Sequence, residues 1–370
     1  MNIALLGFGT VGKGFYELVQ RQPNLTVTTV LSRRARPELN CTVTADFDEI
    51  VRDQSIGLVV EVMGGIEPAY NYICAAMRAG KHVVTANKQL MCEHYEELLS
   101  LAKECHVSLR CTAAAGGGIP WLTSLARAAE MDQITAVEGI LNGTTNYMLS
   151  AMTAQGVNYE KALREAQHLG YAEADPTADV EGYDARRKLV LSANLAFGVS
   201  VRENEIPCIG ISSITADDIS ALGQKGFTFK LIAHAEKNGD QIAAFVCPTL
   251  FPLSAPEAHT DGTGNLVSLY AAHIGKQSFS GAGAGGAPTG SNVLSDCLAI
   301  VSGCPSYYTD RALPCQIDNS GAVYHWYLRS DVQSGLIGPI SAKEAFTRYE
   351  QIKQQDAHAL LARFEEEPSC

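Results

Sequence analysis

The chain has 370 residues, 46% hydrophobic and 18% charged, with a formal net charge of −12 at pH 7. That length and balance describe a globular protein of about two or three domains. The acidic surplus excludes a nucleic-acid partner, which needs a basic stripe, and Gly or charge breaks every apolar tract too early for a membrane-crossing helix.

Residues 2–6 are a short apolar run that enters Gly7-Phe8-Gly9-Thr10-Val11-Gly12 and then a helical segment, 13–19. Strand, glycine turn and helix in that order predict a dinucleotide site. The first glycine permits the turn, the second lets a pyrophosphate approach the backbone, and the third lets helix pack on strand. The phosphates are expected at the helix N-terminus, where unpaired N–H groups and the helix dipole favour negative charge. A second strand, 25–31, ends in Ser32-Arg33-Arg34, with Arg36 beyond. A site for NAD carries Asp or Glu here for the ribose 2′-hydroxyl; a hydroxyl and guanidinium groups suit a 2′-phosphate, so NADP is expected over NAD.

Residues 57–62 read as a buried strand ending in Met63-Gly64-Gly65, where the nicotinamide half of the cofactor is expected. Another strand, 82–85, ends in Ala86-Asn87-Lys88, and 93–104 form an amphipathic helix. Residues 107–112 are a strand entering Gly116-Gly117-Gly118, ahead of a helix over 121–129. Strands alternating with helices on short connections predict a doubly wound, Rossmann-like parallel sheet in a nucleotide-binding domain, 1–133.

After Gln133 the texture changes to that of an α+β domain, 134–284. Residues 134–141 read as a strand, followed by Asn142-Gly143-Thr144-Thr145-Asn146, a polar turn at the mouth of a helix. The stretch 169–188 then gathers Glu173, Asp175, Asp179, Glu181 and Asp184 ahead of Arg186, Arg187 and Lys188, with Gly170, Pro176 and Gly182 as punctuation. Asp184 and Lys188 share one face of a helix, where a carboxylate can hold an amine in place as a proton donor. Taken alone, the same pair reads more readily as a surface ion pair of little energetic weight. Strands are expected around 228–235 and 241–250.

By composition alone residues 281–286 read as a flexible linker or, equally, as an ordered glycine turn near the cofactor. The following Ala287-Pro288-Thr289-Gly290-Ser291 has cap chemistry for a helix over 292–300, so 285–305 is expected to return to the first domain. In the tail, 306–370, strands are expected at 322–328 and 335–340 and a charged helix at 342–364. Eleven cysteines, odd in number and without a CxxC pair, read as reduced thiols of a cytoplasmic protein, not as a disulfide framework or zinc site. The N-terminus has no basic leader or cleavage site, so no signal peptide is expected.

Several of these stretches together resemble homoserine dehydrogenase, over about residues 1–300. GFGTVGKG at 7–14, EVMGGIEPA at 61–69, VVTANK at 83–88, GILNGTTNYML at 139–149, LGYAEADPTADVEGYDARRK at 169–188 and GAGAGGAPTGSNVLSD at 281–296 carry the resemblance. It implies reversible, NAD(P)-dependent reduction of L-aspartate 4-semialdehyde to L-homoserine, on the route to threonine and methionine, by a homodimer joined through the second domain's sheet. It implies Lys188 as the proton donor to the alkoxide that hydride attack creates. Asp184 is then the residue that orients Lys188 and, with Glu173, holds the substrate's amino group, while Asp179 stands behind them. Lys88 matches a lysine near the nicotinamide and the reacting carbon; Gly170, Gly283 and Gly285 match backbone positions at the cofactor. Arg186 and Arg187 are left structural.

Two departures from the family matter. Its members commonly carry a Glu ahead of the Gly-Gly-Ile-Pro turn that helps bind a monovalent cation. Here Thr112 occupies that position, which leaves backbone carbonyls around Ala115 and Gly117 as candidates for sodium or potassium. Many bacterial relatives end in a regulatory ACT domain. The segment AVYHWYLRSDVQSGLIGPIS resembles its opening strand, but the tail is too short for the full unit, so a degenerate remnant with weakened or absent threonine feedback is expected.

Two other classes compete. A semialdehyde dehydrogenase on the same scaffold needs a cysteine nucleophile paired with a histidine; Cys111 and His106 are best placed, but their odd spacing puts them on opposite faces of one strand. A sensor that kept only the cofactor fold should have lost its proton-transfer residues, yet Lys88, Glu173, Asp184 and Lys188 are all present.

Overall fold

The computed structural model describes residues 1–307 and 313–366. In chain order the first elements are β1 (Asn2–Leu6), α1 (Thr10–Val19), β2 (Thr26–Leu31), β3 (Thr42–Thr44), α2 (Phe47–Arg52) and β4 (Ile56–Glu61). Then come α3 (Ala69–Arg78), β5 (His82–Thr85), α4 (Lys88–Glu93), α5 (Tyr95–Glu104), β6 (Leu109–Arg110) and α6 (Trp121–Met131). Next are β7 (Ile134–Ile140), α7 (Gly143–Gln155), α8 (Tyr159–His168), α9 (Thr177–Val180), α10 (Tyr183–Phe197) and β8 (Val199–Ser200). They are followed by α11 (Ala216–Gly223), β9 (Phe227–Asn238), β10 (Gln241–Pro252), β11 (Gly264–Ala271), β12 (Gly275–Ala282) and α12 (Gly286–Val301). The chain closes with β13 (Leu313–Pro314), β14 (Val323–Arg329), β15 (Ser334–Ser341), α13 (Ala342–Lys353) and β16 (Leu360–Phe364).

These elements form two compact units. One comprises 1–131, 198–200 and 282–314; the other comprises 132–197, 201–281 and 315–370. The first unit is built on a parallel sheet in the order β3-β2-β1-β4-β5-β6, the doubly wound order of a nucleotide fold. Its central strand is buried on both faces: Ile3, Ala4, Leu5 and Leu6 are all 0% exposed. Helix layers on either side explain why that strand is an unbroken apolar run.

The glycines of 281–286 are not a linker. Gly281 and Ala282 end β12, and Gly286 already opens α12. That helix begins at 286, ahead of the expected 292, because its first turns lie against α1 with no room for side chains. A Cβ on Gly14 would sit 2.2 Å from the Gly286 carbonyl oxygen, and one on Gly290 would sit 2.6 Å from the Phe15 nitrogen. Beyond this glycine crossing, Val293, Leu294, Cys297 and Ile300 pack into the same core as Phe15, Val19 and Leu58.

The second unit is built on an eight-stranded sheet in the order β12-β11-β7-β9-β10-β16-β14-β15. From β11 across to β15 its pairs are antiparallel, except β10 with β16. Helices α7, α10 and α11 pack against its strands. The charged helix expected over 342–364 ends at Lys353, and residues 360–364 are instead the strand β16. The reason is composition: Leu360-Leu361-Ala362 is wholly buried where it lies between β10 and β14. The turn before it is set by Asp356, whose carboxylate accepts from the Asp331 and His358 amides at 2.9 Å each. Alternate residues of β10 (Ala243, Phe245, Cys247) join Trp326, Leu328, Phe346, Tyr349 and Leu361 in one core, so the tail is part of this unit's packing.

Candidate functional site

In the first unit the turn between β1 and α1 has a backbone that suits the three tasks expected of its glycines. Gly7 has φ +97°, a Cβ on Gly12 would lie 2.4 Å from the Gly7 carbonyl, and around Gly9 there is open space. Gly9 is also the N-cap of α1 and supplies no side chain, so the first N–H groups of the helix keep no cap from it. Phosphate oxygens suit such amides.

Phe8 is buried, with the Arg36 guanidinium 5.3 Å from its ring centroid. Thr10 is exposed and Val11 half-buried at the start of the helix. After β2, Ser32 Oγ donates to the Arg34 carbonyl at 2.8 Å and accepts from the Arg34 amide at 3.2 Å, which sets the turn. Ser32, Arg33, Arg34, Arg36 and Thr44 help line a cavity of about 370 Å³. Arg33 and Arg34 are exposed, whereas Arg36 carries a buried Nε with no hydrogen-bond partner among the described residues. Sequence reasoning named Arg36 but gave it no role; its place over Phe8 is what marks it.

At the carboxyl ends of β4 and β5 the backbone is pinned by one buried acid. Glu61 accepts from the Met63 amide at 2.7 Å, the Gly64 amide at 3.4 Å and Thr85 Oγ1 at 2.5 Å. Burial raises its pKa and those hydrogen bonds pull it back, with burial prevailing. Asn87 donates to the Gly65 carbonyl at 2.5 Å and caps α4 through the Leu90 amide, so Lys88 stands half-buried on the first turn of that helix. The loop 116–118 closes on the other glycine motif: the Gly118 amide donates to the Ala282 carbonyl at 2.9 Å, and a Cβ on Gly117 would lie 2.3 Å from the Gly283 carbonyl carbon. Gly285, at φ +119°, is the N-cap of α12. Thr112 gives its amide to Asp296 at 2.8 Å and its hydroxyl at 2.7 Å; Asp296 is buried deeply enough that its pKa rises to about 6.

In the second unit the Asp184–Lys188 pair is buried, each side chain 10% exposed, so it is not a surface ion pair. Lys188 Nζ lies 2.7 Å from Asp184 Oδ2 and donates to the Leu141 carbonyl at 2.7 Å. Asn142 donates to Asp184 Oδ2 at 2.9 Å and to Asp179 Oδ1 at 2.7 Å. Its own Oδ1 accepts from the Thr145 amide at 2.8 Å and so caps α7. Asp179, Asn142, Asp184 and Lys188 therefore form one chain of hydrogen bonds. Its signal in the sequence was the Asn-Gly-Thr-Thr-Asn turn, to which no role was given. The last residue of that turn, Asn146, donates to the carbonyls of Thr260, Gly262 and Gly264 and accepts from Lys230, whose burial lowers its pKa to about 8.

Glu173 stands apart from this chain. It is exposed, and its carboxylate has no hydrogen bond or ion pair among the described residues. The loop that carries it is tied to α7 by Thr144 Oγ1, which donates to the Tyr171 carbonyl at 2.6 Å. Gly170, at φ +76°, ends α8 in the left-handed conformation. Arg186 and Arg187 both pair with Glu203, at 3.0 and 3.1 Å. Cys111 is wholly buried while His106 is exposed, so the pairing that a cysteine nucleophile needs is not made.

Comparison with known proteins agrees with this geometry. A family model described as "Homoserine dehydrogenase, NAD binding domain" matches residues 7–111, and one described as "Homoserine dehydrogenase" matches 120–298. The homoserine dehydrogenase of Corynebacterium glutamicum is 42% identical over 319 residues, which cover 80% of this chain and 71% of that one. That of Lactococcus lactis is 40% identical over 317 residues, covering 81% of this chain and 74% of the other. A crystal structure of a homoserine dehydrogenase from Thiobacillus denitrificans superposes with a TM-score of 0.89 at 28% identity, over 99% of this chain and 98% of that one. The chain belongs to the homoserine dehydrogenase family of nicotinamide-dependent oxidoreductases.

Proposed function

We propose that this chain reduces L-aspartate 4-semialdehyde reversibly to L-homoserine, with NADPH preferred over NADH and Lys188 as the proton donor. One observation carries the assignment of Lys188. Its ammonium has three hydrogens, and two of them are spoken for among the described residues, by Asp184 and the Leu141 carbonyl. The third can meet the oxygen of a bound aldehyde. A nicotinamide, when bound, supplies the hydride; Lys188 protonates the alkoxide that results, which is general acid catalysis at a developing negative charge. Asp184 fixes the direction of the ammonium, and Asn142 fixes Asp184. Asp179, Asp184 and the exposed Glu173 offer the carboxylates that a substrate ammonium needs. Lys88, by family likeness, serves beside the reacting carbon.

The first unit fits a phosphorylated nicotinamide nucleotide. The uncapped start of α1 suits its pyrophosphate, and the cavity at Ser32, Arg33, Arg34 and Arg36 suits a 2′-phosphate. Gly64 and the backbone of Gly170, Gly283 and Gly285 are read as further cofactor positions. We read the protein as a cytoplasmic homodimer joined through the second unit's sheet, whose edge strand β12 is largely exposed. Among the described residues no helix is long and apolar enough to cross a membrane.

The direct test is loss of NADPH absorbance on adding L-aspartate 4-semialdehyde, with and without threonine. Turnover unaffected by threonine is expected, since the tail's strands and helix are committed to the second unit's sheet and core. NADPH binding with no turnover would sink the assignment. For the nucleotide preference, Arg33→Ala is expected to raise KM for NADPH about ten-fold, one charge-assisted hydrogen bond, and to leave KM for NADH within about two-fold. Equal effects on both would make Arg33 a surface residue.

A further inference from the structure

We infer that in this chain the side-chain amide of Asn292 stands where the family resemblance expects a monovalent cation, so that the loop 116–119 is organised without sodium or potassium. Of the two carbonyls offered for such an ion, that of Gly117 lies in this loop and already has a donor. Asn292 is 5% exposed and projects from α12. Its Nδ2 donates to the Gly117 carbonyl at 2.6 Å and to the Ile119 carbonyl at 2.8 Å. The orientation of the amide follows from its surroundings, because turning it over would set its own oxygen against two carbonyl oxygens.

These separations are close to those at which a hard cation sits from its oxygen ligands, about 2.3–2.6 Å for calcium. The amide nitrogen therefore occupies the point between the two oxygens that an ion would need, and its hydrogens present positive charge there. The neighbouring oxygens are engaged as well. The Ile119 carbonyl also accepts from the Trp121 amide at 2.7 Å, and the Gly116 carbonyl from the Ile119 amide at 2.8 Å. At the position of the family's carboxylate, Thr112 brings no charge, and both its amide and its hydroxyl go to Asp296. One neutral side chain thus ties α12 to the loop that supports the Gly283 backbone. The link to cofactor binding rests on the reading of Gly283 and Gly285 as cofactor positions; the replacement of the ion does not.

The test compares potassium, sodium and tetramethylammonium chloride at constant ionic strength, with cofactor-free protein followed by Tm and NADPH affinity followed by fluorescence titration. For the wild type, Tm is expected to stay within about 1 °C and the NADPH Kd within about 1.5-fold across the three salts, because an ion that binds only the folded state must raise Tm. Asn292→Asp puts a carboxylate against the same two carbonyls and creates the demand for an ion. Its Tm is expected to be lower than wild type in tetramethylammonium and to recover by several degrees in potassium or sodium. A wild-type Tm that rises with potassium or sodium would overturn the inference, as would an Asn292→Asp protein indifferent to all three salts. Because the Tm arm uses protein without cofactor, it stands even if Gly283 and Gly285 prove to have no cofactor role.

Discussion

The second unit contains two buried ionic networks that look alike on paper and differ in what they leave open. One runs through Asp179, Asn142, Asp184 and Lys188. The other lies across the sheet, where Glu138 of β7 meets His234 of β9 at 3.1 Å, Arg363 of β16 at 3.0 Å and the Tyr270 hydroxyl at 2.5 Å. In that second network the charged partners are turned on one another, although Arg363 Nε is buried with no hydrogen-bond partner among the described residues. Glu138 uses both oxygens, and His234 uses both ring nitrogens, the other toward Glu236 at 3.3 Å. The Tyr324 hydroxyl donates to Glu236 at 2.7 Å, and Arg363 also holds Glu365 at 2.9 Å. In the first network one ammonium hydrogen is left over, and the neighbouring loop is exposed. If Lys188 is the proton donor proposed above, burial alone does not mark a catalytic charge; an unspent donor beside solvent does. The two are joined through β7, since Glu138 stands three residues before Leu141, the carbonyl that receives Lys188.

The comparison breaks most sharply at Lys188. Lys188→Ala is expected to lower kcat by about 10³-fold or more, the loss of a proton donor at a developing alkoxide. NADPH affinity should stay within about two-fold, because the role proposed for Lys188 is toward the substrate and not the cofactor. Steady-state kinetics beside a fluorescence titration measure both. A variant that keeps a tenth of wild-type kcat would remove Lys188 from the mechanism.

Arg363→Met should do the reverse. Removing one partner of a buried ion pair leaves Glu138 short of a charge, which costs about 3–5 kcal/mol of stability. Urea unfolding followed by fluorescence reads this, while kcat of the folded protein at low temperature stays within about three-fold of wild type. A fall in kcat with unchanged stability would mean that the sheet network belongs to the chemistry. Asn142→Ser sits between these cases. Serine can still cap α7 but is too short to span Asp179 and Asp184, so stability should fall by no more than about 1 kcal/mol and kcat by about ten-fold.

How far the sequence could be read follows the same divide. The nucleotide turn was legible because each glycine answers a local steric demand, as Gly7 and Gly12 do. Asp184 and Lys188 were legible as a pair by helical spacing, but their burial was not, since that comes from the packing of α10 against β7 and β9. Asn142 and Asn292 were missed as functional groups for a shared reason. Each acts across the fold, Asn142 on residues 37 and 42 positions away and Asn292 on residues 175 and 173 positions away, and no local pattern announces that. The helix expected over 342–364 failed because charge masked a short apolar strand, Leu360 to Phe364, whose partners lie in β10 and β14. Gly14 was read only as part of the helix after the glycine turn, although its contact is Gly286 in α12.

The smallest expected effect is a pH dependence that separates the two networks without touching turnover. Burial alone would lower the pKa of His234, but Glu138 and Glu236 outweigh it and leave the imidazole raised above its ordinary value. Burial likewise opposes the charge on Glu138, and here His234 and Arg363 prevail, holding that carboxyl well below its usual range. A histidine raised in the folded state contributes stability that is complete below its unfolded pKa, about 6.5, and is lost as pH climbs through the folded value. A carboxylate held down contributes stability that is complete above its unfolded pKa, about 4.3, and is lost only as pH falls through the lower folded value. Both contributions are therefore whole between about pH 4.5 and 6.5, and the histidine's share fades above that window. Measured by urea unfolding, the gap between wild type and His234→Gln should be widest near pH 6 and narrow toward pH 9. A gap that stays constant over that range would mean that His234 is neutral in the folded protein, and that Arg363 alone balances Glu138.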